Sequence, residues 1–143
     1  MRTVGQLLEQ KGHDVVTIEP DATVLDAARR MDERRIGALV VIEHDRVAGI
    51  FSERDLMRRV VVMEKEPSKT LVREVMTDRV LFCEPSCSLD EVRALMRTRR
   101  IRHVPIVEND RLVGIVSIGD VNVVEQRIQE ETIQYLEQYM YKP

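Results

Sequence analysis

Aromatic residues make up only 3% of this 143-residue chain, tryptophan is absent, and the three tyrosines all fall in the C-terminal stretch "YLEQYMY". The main core is therefore expected to be aliphatic, built from Val, Ile, Leu, Met and Ala. Without interleaved aromatics, a nucleic-acid surface is disfavoured. Cysteine is nearly as rare. Cys83 and Cys87 form the isolated "CEPSC", which gives no disulfide framework and leaves two readings, small apolar fillers or a redox pair. No apolar run approaches the roughly 18–20 residues of a membrane span. "MRTVGQLLEQ" lacks the apolar core of a signal peptide, so a cytoplasmic, reducing setting is expected. Charge of one sign is also missing: 22 basic residues against 25 acidic leave −3, and no global field draws the chain to nucleic acid or membrane. His13, His44 and His103 share no metal-ligand spacing with one another or with the cysteines. A nucleophile–base pair and a "GxxxxGK[ST]" loop are both absent, so no enzyme class is indicated.

What the chain does have is a repeat. Shifted by 65 residues, the separation of Asp55 and Asp120, "VVTIEPDATVLDAARRMDERRIGALVVIEHDRVAGIFSERD" falls without a gap on "VLFCEPSCSLDEVRALMRTRRIRHVPIVENDRLVGIVSIGD". Glu19/Glu84, Pro20/Pro85, Met31/Met96, Gly49/Gly114, Ser52/Ser117 and Asp55/Asp120 all coincide. A tandem duplication is the reading, with a first copy at 1–62, a charged linker at 63–69, a second copy at 70–127 and a helical tail at 128–143. Within a copy, "VVTI" reads as a short strand and "TVLDAARRM" as a helix with Val24, Leu25, Ala28 and Met31 on one face, capped by Thr23 or Asp21. "ALVVI" is continuously apolar and so buried on both faces. "EHDR" is a turn, "VAGIF" completes a hairpin, and "SERDLMRRVV" is a second helix. The fold class is α+β, two β-α-β-β-α units each preceded by a helical segment. One unit of roughly 60 residues is marginal alone, so the two are expected to pack about a pseudo-twofold axis.

The most informative coincidence is "GIFSERD" against "GIVSIGD". Ser at a helix cap with Asp three residues on forms a capping box, which by itself accounts for either copy. The same groups suit a ribose phosphate. The helix start offers free N–H groups to phosphate, the hydroxyl adds a donor, the carboxylate accepts a ribose diol, and glycine allows close approach to backbone.

These motifs, with "RRIGALVVIEHDR" and "RRIRHVPIVENDR" before them, resemble a tandem pair of CBS domains over about residues 4–127. The resemblance implies a regulatory ligand-binding module rather than an enzyme. It also implies adenosine-containing ligands, AMP, ADP, ATP, NAD(H) or S-adenosylmethionine, in two clefts between the halves. Carried over by register, Ser52 and Asp55 would serve one cleft with Val80 and Leu81 against the adenine. Ser117 and Asp120 would serve the other with Val15 and Val16. Arg102 and His103 stand where the first copy has Gly37 and Ala38, so the Asp120 cleft is expected to hold phosphate better. Arg54 would reach a phosphate or lie in solvent. The basic runs "RRMDERR" and "RTRRIRH" either complement helix dipoles or, through Arg99, Arg100 and Arg102, add potential near phosphate. AMP is the first expectation, because two separate clefts with few cations suit a monophosphate.

The tail continues the last helix with Val121, Val124, Ile128, Ile133, Leu136 and Met140 at helical spacing and Tyr135 and Tyr139 on a second stripe. That face would pack back on its own module or, following the disc-like dimers of the family, on a second chain. A homodimer that reports nucleotide state to a regulated protein is the expectation. A ligand-free dimerisation adaptor is the alternative.

Overall fold

The computed structural model describes residues 2–140, without the side chains of residues 125–129 and 140. The first copy contains α1 (Val4–Lys11), β1 (Thr17–Ile18), α2 (Val24–Arg34), β2 (Ala38–Glu43), β3 (Arg46–Ser52) and α3 (Glu53–Asp55), which widens into a π-helical stretch at Leu56–Val61. A 3-10 turn at Pro67–Lys69 leads to α4 (Val72–Val75), α5 (Leu89–Arg99), β4 (His103–Glu108), β5 (Arg111–Ser117) and α6 (Ile118–Met140). The β-α-β-β-α order read from the repeat is present in the first copy. In the second, the leading strand shrinks to a single parallel bridge, Cys83 to Ile106.

Local chemistry explains the matched elements. Thr23, rather than Asp21, caps α2 by accepting from the Asp26 amide, and Ser88 caps α5 in a full capping box. Both helices end on an arginine in the left-handed region, Arg35 and Arg100, which lets the last turn close its carbonyls. His44–Asp45 and Asn109–Asp110 all have positive φ, the primed turn that matches the twist of a two-residue hairpin. β1 runs parallel to β2 and β3 antiparallel to it. A bulge falls between Val41 and Ile42 and again between Ile106 and Val107, the same place in each hairpin. Ala38–Val41 are buried throughout, as a strand covered on both faces requires.

The cores are crossed. Val4, Leu7 and Leu8 of α1 pack with Leu89, Val92, Met96, Val104 and Val116 of the second copy. Val72 and Val75 of α4 pack with Ile18, Val24, Leu39 and Phe51 of the first. Each leading helix thus completes the core of the other half, and neither copy is closed without the other. The backbone records the exchange too: Val72 N–H donates to Ala22 O and Leu89 N–H to Arg2 O.

α6 is one 23-residue helix. Val121 is buried in the second core, but Ile133, Leu136, Tyr135 and Tyr139 are exposed. The tail therefore does not fold back on its own module. Ile128 and Met140, assigned to the same stripe, have side chains outside the described residues. No described helix is long and apolar enough to cross a membrane.

Candidate functional site

Both motif serines and aspartates close capping boxes. Ser52 N–H and Oγ–H donate to Asp55 Oδ2 at 3.0 and 3.1 Å, and Asp55 N–H returns to Ser52 Oγ at 3.3 Å. Ser117 N–H donates to Asp120 Oδ2 at 2.8 Å, and Asp120 N–H to Ser117 Oγ at 3.1 Å. The structural role is thus filled twice, while the second contacts of the two carboxylates differ. Thr77 Oγ–H donates to Asp55 Oδ1 at 3.1 Å. Asp120 Oδ2 instead meets the Lys11 ammonium at 2.7 Å.

The motif glycines make room for close packing. A Cβ on Gly49 would stand 2.6 Å from the Thr77 carbonyl oxygen, and one on Gly114 would stand 2.7 Å from both Leu8 methyls. The segment leading into the opposite half occupies that space in each case.

One cavity of about 450 Å³ opens between the halves, lined by Ser52, Asp55 and Thr77 on one side and by His103, Ser117 and Gly119 on the other. Val80 and Leu81 line it with Asp55, as the register expected, and Arg54 lines it too. Arg102 and His103, expected with Asp120, line this same cavity instead. They sit at the start of β4, which faces the N-terminus of α3 across the pseudo-twofold axis. Asp120 does not line it. Val15 and Val16 border a separate concavity with Asp14, Thr17, Arg30 and Arg34, which includes neither Ser117 nor Asp120. Neither concavity brings Val15 and Val16 together with Ser117 and Asp120.

The expectation of few cations also needs correction. Arg54, Arg58, Arg59, Arg79, Arg100 and Arg102 all line the Asp55 cavity, against the carboxylates of Glu53 and Asp55. Arg54 is half-buried and not free: its Nη1 donates to the Arg100 carbonyl at 3.0 Å, a hydrogen bond between the two halves. Arg59 donates to the Met76 carbonyl at 2.8 Å and lies 3.8 Å from Asp55 Oδ1. Arg58, Arg79, Arg100 and Arg102 have no acceptor for their side chains among the described residues. Burial first, and then the neighbouring Arg102, lower the pKa of His103 from the ordinary imidazole value, so its ring is neutral at neutral pH. Lys11 and the Ser117 donors outweigh the burial that would raise Asp120, and its carboxyl ends below the usual range. Arg99, in the same basic run, is not part of the cavity lining. Arg58, Arg59, Arg79 and Thr77 were not marked by any motif; the visible signal was that Thr77 and Arg79 lie just ahead of the "VL" placed against the adenine.

Cys83 is buried; burial first and the neighbouring Cys87 second push its thiol up to about 12. Such a thiol is not a ready nucleophile. Both cysteines are free. Among the described residues no cluster of His, Cys, Asp or Glu could hold a metal ion.

Two α+β units with crossed leading helices and a shared cavity at their junction define a paired module. The match to known families is direct: the CBS domain family model fits residues 5–62 and again 72–124, and the chain belongs to that family as a tandem pair. It is similar to the mitochondrial CBS domain-containing protein CBSX3 of Arabidopsis thaliana, 31% identical over 96% of this chain and 71% of that one. The solved structure of the CBS-domain protein ATU1752 from Agrobacterium tumefaciens has TM-score 0.82 and 40% identity, covering 86% of this chain and 98% of that one. A Burkholderia ambifaria protein with CBS domains, whose name refers to signal transduction, has TM-score 0.80 and 43% identity over 83% and 90%. The hexameric CBS-CP12 protein of bloom-forming cyanobacteria has TM-score 0.74 and 30% identity over 83% and 68%.

Proposed function

We propose that this CBS pair is a regulatory sensor of an adenosine nucleotide held in the Asp55 cavity, and that it prefers a di- or triphosphate to AMP. The observation that carries this reading is the set of four exposed arginines, Arg58, Arg79, Arg100 and Arg102, whose side chains have no acceptor among the described residues and which line the cavity that holds Asp55. A carboxylate offers two oxygens and about four lone-pair sites; Ser52, through its N–H and its hydroxyl, and Thr77 take three of them, leaving about one, on Oδ1, for a ribose hydroxyl. Val80 and Leu81 give the adenine an apolar wall. The phosphate chain then runs toward Arg102 and His103, where charge-assisted hydrogen bonds are strongest. A monophosphate satisfies one or two arginines and leaves the rest unneutralised.

The signal is a shift between arrangements of the halves. Arg58 belongs to the first copy and Arg100 and Arg102 to the second, so an anion that bridges them favours the closed junction. The exposed apolar face of α6 is the surface through which a second chain or a regulated protein would read that change. Self-association is supported by the hexameric cyanobacterial relative, and a homodimer is the smallest such assembly.

Titration calorimetry with AMP, ADP, ATP, NAD and NADH tests the reading. Expected is tighter binding of ADP and ATP than of AMP, weakened by Asp55→Asn and by Arg102→Ala. Binding that does not depend on phosphate number removes the arginine argument. The adaptor alternative is favoured by the two completed capping boxes. Absence of any nucleotide binding with the oligomer intact would select it.

A further inference from the structure

The two leading helices are unequal. α1 runs eight residues, from Val4 to Lys11, and α4 only four, from Val72 to Val75. The extra turn ends in Lys11, whose ammonium donates to Asp120 Oδ2 and to the Ile115 carbonyl, each at 2.7 Å. Its aliphatic stem and head are mostly covered, as is Asp120, at 27% and 25% side-chain exposure. At the matching place in the other half no lysine arrives from the leading helix; the nearest cation is Arg59 of the motif's own helix, 3.8 Å from Asp55 Oδ1 and so beyond hydrogen-bond distance. Asp55 takes the neutral Thr77 hydroxyl there, just past the short α4.

We infer that Lys11 is an internal occupant of the second cleft and that it decides which of the two motif aspartates binds ligand. This rests on the nucleotide reading of the Asp55 cavity and deepens it: each chain takes one nucleotide, at Asp55. A ribose diol presents two hydroxyl donors to a motif carboxylate. Lys11 already presents two N–H donors, one to Asp120 and one to the adjacent β5 carbonyl, and it adds a full opposite charge. Asp120 Oδ2 already takes the Ser117 N–H and the Lys11 ammonium, so a diol that spans both carboxylate oxygens displaces a charge-assisted hydrogen bond and replaces it with a weaker neutral one. Two of the three N–H donors of the ammonium are committed to Asp120 and Ile115, which leaves only one for an incoming group. Losing one charged hydrogen bond of this kind lowers affinity by about tenfold to a hundredfold. The separate concavity beside Val15 and Val16, which excludes Asp120, is consistent with a cleft that this contact keeps divided.

The test is binding stoichiometry per chain, measured by calorimetry with ATP on the full chain. The variants are Lys11→Met, Asp120→Asn and the double variant. Methionine keeps the length and helix propensity of lysine without the charge, and a thermal melt of each variant establishes that it is folded. Expected for the native chain is one site, unaffected by Asp120→Asn. Lys11→Met should gain a second site, which the double variant loses. A native chain with two sites, one of them removed by Asp120→Asn, overturns the inference, as does a folded Lys11→Met chain that gains nothing. If the native chain binds no ATP, the Asp55 reading fails by itself. A site gained in Lys11→Met and lost in the double variant would still support the role of Lys11.

Discussion

The hydroxyl of Thr77 donates to Asp55 Oδ1 across 3.1 Å, tying the segment that opens the second copy to the motif carboxylate of the first. Asp55 is buried, and a buried charged acceptor that loses a donor is left partly unsatisfied. Thr77→Val keeps the shape and removes the donor. The expected cost is about 1–3 kcal/mol of stability, read from denaturant unfolding. An unchanged midpoint would mean that solvent replaces the hydroxyl at no cost.

The crossed cores make a second prediction. Leu8 is fully buried among second-copy residues, although it lies in the first copy by sequence. Leu8→Ala should cost about 2–5 kcal/mol. Its first effect on amide exchange should appear in α5, β4 and β5 rather than in β2 and β3. Loss of protection confined to the first copy would contradict the exchange of helices.

A third concerns pH. His103 is neutral above its lowered pKa because burial and Arg102 disfavour the imidazolium. A phosphate beside it favours the charged form, so the bound pKa lies above the free one and binding takes up a proton. ATP affinity should therefore rise as pH falls from about 8 toward 6, in the range where histidine titrates. His103→Gln should retain only the dependence that comes from ATP itself. Identical profiles for the two proteins would take His103 out of the phosphate path.

A fourth concerns the thiols. In a Cys87→Ser variant the remaining Cys83 is buried. Its native thiol, pushed up to about 12 with Cys87 present, should stay well above the ordinary value of 9.0 through burial alone. Alkylation at pH 8 should be at least about a hundredfold slower than in the unfolded chain, since the thiolate is the reacting form. Fast native labelling would reopen a redox role for "CEPSC".

The fold was legible because its signals repeat. The 65-residue register, the turn pairs His44–Asp45 and Asn109–Asp110, and the continuous apolar "ALVVI" each mark an element through local chemistry. The exchange of leading helices was not legible. Val4, Leu7 and Leu8 carry the same apolar pattern whichever core they enter, and periodicity says nothing of which half that is. The π-helical widening after Asp55 and the loss of the second leading strand have no local signature either. At the site, Ser52, Asp55, Val80 and Leu81, which the register grouped, line one cavity. The register misplaced Arg102 and His103, because β4 begins at the junction and serves the cavity across the axis rather than the one on its own side. Lys11 was invisible as a partner of Asp120, since its reach depends on one extra turn in α1.

The central claim is that a nucleotide binds in the Asp55 cavity between the halves. Its most direct test is an amide-resolved NMR titration of the full chain with ATP. The account predicts shifts gathered at Ser52–Arg59, Thr77–Leu81 and Arg100–His103, with Val15, Val16 and Asp120 unmoved. Shifts centred on Val15, Val16 and Asp120, or no shifts at saturating ATP, would contradict it.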